Sequence, residues 1–109
     1  MQHITYAEKT LFVDDETAET LVEYAALLGS EQQADTVSIA VVGEDGNEAI
    51  ASFVLNSGTS IMAETTNSPL EPPKNEEAVE YMRARMEVLR YTPQVTAEEP
   101  GSWTAVEDF

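Results

Sequence analysis

The chain contains no cysteine. That removes disulfides, thiolate metal sites and cysteine nucleophiles together. It has one histidine, His3. A catalytic histidine needs a nucleophile and an orienting group within hydrogen-bond reach, and a metal site needs several ligands on rigid elements. A lone His3 near the start of the chain offers neither and reads as an ordinary strand residue. Gly43, Gly46, Gly58 and Gly101 form neither a dinucleotide fingerprint nor a phosphate loop. Ser57 lies in Asn-Ser-Gly, not in a nucleophile elbow. No catalytic centre, cofactor or metal site is expected. No run of about 18 apolar residues occurs, so no transmembrane helix is expected. Residues 1–6 lack the basic and apolar regions of a secretory signal, which makes the cytosol the expected compartment.

Positive charge is the scarcest commodity. Five Lys and Arg stand against 21 Asp and Glu, a formal net charge of −16. Between Lys9 and Lys74 there is no basic residue, while acids run from Asp14 to Glu71. Direct binding to nucleic acid or to an anionic membrane is thereby disfavoured. A basic protein partner is favoured, with association steered by charge and weakened by salt. A proteome-wide acidity, as in salt-adapted organisms, would produce the same composition without any such partner.

What is present suits one modest core: 109 residues, 42% of them hydrophobic. Ile4, Tyr6, Leu11 and Val13 predict short strands near 3–6 and 10–13, turning at Ala7-Glu8-Lys9. Asp14 or Asp15 then caps a helix over 15–28, with Ala18, Leu21, Val22, Ala25 and Leu28 at helical spacing and Gly29 as its stop. Strands follow at 36–42, 49–55 and 60–65. Gly43-Glu44-Asp45-Gly46-Asn47 forms the first turn, and Asn56-Ser57-Gly58 a tight hairpin with Gly58 supplying positive φ. These three strands read as a meander. Pro69, Pro72 and Pro73 mark a connection. Asn75 offers an N-cap for a second helix over 76–91, with an apolar stripe of Val79, Met82, Met86 and Leu89. Along that helix Glu80–Arg83, Arg83–Glu87 and Glu87–Arg90 are spaced for ion pairing. The order ββ-α-βββ-α predicts an α+β domain over 1–91, an antiparallel sheet of about five strands with two helices packed on it in two layers. Residues 92–109 form an acidic tail containing Pro93 and Pro100.

Two features carry a binding hypothesis. Asp15, Glu16, Glu19 and Glu23 line the outer side of the first helix, an array that mimics phosphate spacing and suits a Lys/Arg groove. The chain ends with Trp103, Glu107, Asp108 and Phe109, an aromatic and acidic ending suited to an apolar pocket ringed by bases. The reading is a non-enzymatic acidic interaction module, in its sharpest form an inhibitor that occupies a nucleic-acid-binding groove. One alternative is a structural or oligomeric domain whose acidity is proteome-wide, a homodimer formed through a sheet edge or the second helix. Another is a small-molecule binder whose pocket holds at least two of Glu16, Glu19, Glu44, Asp45, Glu48 and Glu64, one with a raised pKa. The acidic 44–48 segment has calcium-type ligands but not their spacing, and reads as a hairpin loop.

Overall fold

The computed structural model of the chain describes residues 1–68 and 71–91. Strand β1 (Gln2–Tyr6) turns at once into β2 (Lys9–Val13), with Tyr6 opposite Lys9. Ala7 takes a left-handed φ of 56° to close that turn. The register sets Ile4 opposite Leu11 and Gln2 opposite Val13, so alternation sends these side chains to one face. β2 runs directly into helix α1 (Asp15–Ser30). Asp14 is the cap, accepting from the Thr17 amide at 3.3 Å and the Thr17 hydroxyl at 2.5 Å. The helix buries Ala18, Leu21, Tyr24, Ala25 and Leu28.

The stop of α1 differs from expectation. Gly29 lies inside the helix, and the left-handed residue is Gln32, with φ 56°. The Gln33 amide donates to the Leu28 carbonyl and the Gln32 amide to that of Gly29, the bonding of a Schellman ending. Likewise Gly46 (φ 86°) carries positive φ in the 43–47 turn, whereas the expected Gly58 does not.

Strands β3 (Asp35–Val42) and β4 (Glu48–Leu55) form the expected hairpin, with Ser38 opposite Ser52. The expected meander stops there. β5 (Ile61–Thr65) pairs with β1, not β4, with Ala63 opposite Ile4. The sheet is antiparallel in the order β4-β3-β2-β1-β5. The 56–60 link is a compact knot: the Thr59 hydroxyl donates to the Val54 carbonyl, and the Asn56 side chain accepts from the Gly58 amide. It can reach the far edge because the sheet curls. In a flat sheet β1 and β4 would lie three spacings, about 14 Å, apart. Here the Tyr6 hydroxyl donates to the Val54 carbonyl at 2.7 Å, and its ring meets Phe53 edge-on at 5.1 Å.

Inside this curl sit Ile4, Val13, Val37, Ile39, Val41, Phe53 and Leu55, packed on the buried face of α1. Helix α2 (Glu76–Tyr91) lies alongside α1 and adds Met82 and Met86 to the same core, as the stripe predicts. Among the described residues no helix covers the opposite sheet face, which exposes Ile50, Val54 and Met62. β2 pairs with β3 only where Phe12 faces Val42, because β2 leaves the sheet at the α1 cap. The Asn75 side chain fills the vacated place. Its amide nitrogen donates to the Ala40 carbonyl at 2.9 Å, and its oxygen accepts from the Ala40 amide at 2.7 Å. One side chain thus completes the ladder that a strand would have supplied, and its backbone carbonyl receives the Val79 amide at the start of α2. No helix among the described residues is long and apolar enough to cross a membrane.

Candidate functional site

The acidic face of α1 folds largely against its own chain. Arg83 reaches Glu16 at 3.0 Å and Arg90 reaches Glu23 at 2.7 Å. Both pairs join residues 67 apart in sequence, so the two helices run parallel, side by side. The ion pairs expected within α2 therefore give way to pairs between helices. Asp15 holds the Met1 amine at 2.8 Å, and Glu19 accepts from the Gln2 amide nitrogen at 3.4 Å. All four carboxylates of the expected array share one side of α1, and each already has a partner. The two Arg–Glu pairs are solvent-exposed and contribute about 0.2–1 kcal/mol each.

Parallel packing brings the starts of both helices to one end of the molecule. Between them opens a cleft of about 550 Å³, lined by Asp14, Asp15, Glu16 and Glu71, with the Met1 amine and Lys74 as its cations. Glu76 and Glu77 follow in the first turn of α2. A concave wall of like charge concentrates its field more than a flat one. A second acidic cleft, of about 490 Å³, lies at the β3–β4 turn, where Glu44, Asp45 and Glu48 stand near Lys9. It meets the geometric half of the carboxylate-site expectation and not the electrostatic half. Asp45 is held below the ordinary carboxylate range, first by the Asn47 backbone amide, with burial opposing. A further cleft, of about 580 Å³, lies between the ends of β1 and β4 and the 56–60 link, and is lined by Thr5, Tyr6, Val54, Asn56, Thr59 and Met62 among others.

One polar constellation was not anticipated from sequence. Asp35, at the start of β3, accepts hydrogen bonds from the Tyr24 and Tyr81 hydroxyls, the latter at 2.6 Å. Arg85 lies beside them. Burial pushes Asp35 upward, but the two hydroxyls, the Thr36 amide and Arg85 outweigh it and hold the carboxyl low. Tyr24 is pushed well above a normal phenol by burial and by its bond to Asp35. A low acid and a high phenol are each fixed in their resting protonation states. The group ties α1, α2 and β3 together, and neither member is poised to exchange protons near neutrality.

His3 bonds Glu64 at 2.7 Å and stacks on Phe12 at 5.8 Å, as a strand residue on the helix-free face. Among the described residues no three metal-ligating side chains converge. Trp103, Glu107, Asp108 and Phe109, and the whole 92–109 tail, lie outside the described residues. Comparison with known proteins gives this chain no relative: no family model, no curated protein and no solved structure matches it.

Proposed function

We propose that this chain is a non-enzymatic acidic interaction module that binds a basic protein at the end where both helices begin. The observation that carries the reading is the cleft walled by Asp14, Asp15, Glu16 and Glu71. Arg90 and Arg85 stand elsewhere, against Glu23 and the Asp35 group, while Arg83 takes Glu16 and the Met1 amine takes Asp15, so the surplus negative charge of the wall rests with Asp14 and Glu71. A lysine or arginine entering there exchanges water for several carboxylates at once, and a surface built to hold phosphates has the complementary sign. An inhibitor of a nucleic-acid-binding protein is the sharpest form of this reading.

Capture of partners from the native host at rising salt tests it. The expected partner has a high isoelectric point, and its capture falls steeply with salt. Replacing Asp15, Glu71 and Glu76 by their amides should abolish capture. The same change in charge at Glu44, Asp45 and Glu48 should leave most of it. Equal loss from both variants would reduce the acidity to bulk charge and overturn the reading.

A further inference from the structure

Helix α2 is apolar on two opposite sides. Val79, Met82, Met86 and Leu89 face the core. Tyr81, Ala84, Val88 and Tyr91 face away from it at spacings of three, four and three residues. Tyr81, Val88 and Tyr91 are 45%, 50% and 75% exposed, and Ala84 is exposed as well. That spacing is a coiled-coil seam, with Tyr81 and Val88 at a positions and Ala84 and Tyr91 at d positions. The seam is held ready: the Asp35 carboxylate anchors the Tyr81 hydroxyl, which fixes the first ring of the stripe.

The flanks of the seam say what covers it. Glu80 and Glu87 occupy the g positions, and Arg85, whose guanidinium also lies against the Tyr24–Asp35 group and has further N–H donors, occupies an e position. When two such helices run parallel, g residues of one lie beside e residues of the other, so Glu80 meets Arg85 of the second copy, twice over. When they run antiparallel, g lies beside g, and glutamate would meet glutamate. Charge on the flanks selects orientation in this geometry. We infer that α2 is a homodimerisation helix, pairing parallel with α2 of a second copy through Tyr81, Ala84, Val88 and Tyr91.

Two heptads fall short of what a free-standing coiled coil needs. The domain supplies the helix already formed, so its nucleation cost is met by folding. Four side chains from each copy fall well short of the roughly 20–30 residues a side of a standard interface, so the pair is weak. Each copy carries −16 charges, and long-range repulsion opposes association. Salt therefore strengthens the dimer, because at about 1 M the Debye length falls to about 3 Å. This is the opposite salt response to that of a basic partner, so either proposal can fail alone.

Because the chain lacks cysteine, a single introduced thiol reports the orientation directly. Ala84→Cys places the same d position of both copies face to face, within disulfide reach if the helices are parallel. Under a thiol redox buffer the full chain carrying Ala84→Cys should form a linked dimer several-fold faster than a control carrying Glu48→Cys on the helix-free sheet face. Sedimentation at high micromolar concentration should show the unmodified chain shifting to dimer as salt rises, and Val88→Asp abolishing that shift without changing the unfolding temperature. A chain that stays monomeric at every salt concentration, with Ala84→Cys linking no faster than the control, overturns the inference; a stripe covered by the chain's own tail would give that result. Faster linking in a mixture of Ala84→Cys and Val88→Cys chains than in Ala84→Cys alone would mean antiparallel pairing, and overturns it too.

Discussion

The two helices are the same length and run side by side, yet the chain treats them differently. α1 buries seven residues along one face, including Leu21, Tyr24 and Leu28, and spends its cap on itself through Asp14. α2 buries only Val79, Met82 and Met86, and the side chain of Asn75 at its start serves the sheet. α1 is thus held by what it covers, and α2 by where its start is fastened. An amphipathic stripe records the first kind of attachment and not the second. This is why, among the described residues, α2 retains an exposed apolar side at Tyr81, Val88 and Tyr91.

Unfolding measurements can break that contrast. Leu21→Ala in the fully buried face of α1 should cost about 3 kcal/mol in urea titrations, while Val88→Ala on the outer side of α2 should stay within about 0.5 kcal/mol. Comparable costs would mean that α2 is packed as tightly as α1. Asn75→Ala should cost about 2 kcal/mol, because it strips both Ala40 backbone groups of their partner. Its hydrogen-exchange signature should be faster opening of β3 near Ala40, with α1 unchanged.

The Asp35 group sharpens the comparison by pH. The folded state holds Asp35 below its ordinary value, so its contribution is present above about pH 4 and disappears as the pH falls through the folded value. Tyr24 is displaced upward, so its contribution is complete below about pH 10 and disappears as the pH rises through the folded value. Asp35→Asn should therefore flatten the acid limb of the stability profile, and Tyr24→Phe the alkaline limb. The smallest effect belongs to the cross-helix ion pairs. Arg83→Ala should cost at most about 0.5 kcal/mol, and less in strong salt, because both partners are more than half exposed.

The elements themselves were legible because their signals are local. The α1 stripe, a cap at Asp14 or Asp15 and the Met82–Met86 core side all follow from spacing within a few residues, as does the β1–β2 turn, though it is one residue shorter than the Ala7-Glu8-Lys9 expected because Lys9 pairs with Tyr6. What spacing cannot carry is a partner distant in sequence. β5 carries a strand pattern that fits β4 or β1 equally well, and the choice falls to a sheet curled until Tyr6 touches β4. Arg83 and Arg90 have glutamates within reach on their own helix and take those of α1 instead. Asp35 looks like the polar edge of a strand until Tyr24 and Tyr81 converge on it from two helices. Of the acidic array, Asp15, Glu16, Glu19 and Glu23 were legible as one face. Their intrachain partners were not, since these depend on helix pairing.

The joint at Asn75 has a chemical lifetime as well as a strength. Amide side chains lose ammonia slowly in water, and heat speeds the loss. At this position the product would set a carboxylate oxygen where a nitrogen now donates to the Ala40 carbonyl. Two acceptors would then face each other in the seat of α2. Ageing at one atom would loosen a helix while leaving every apolar contact of the core in place.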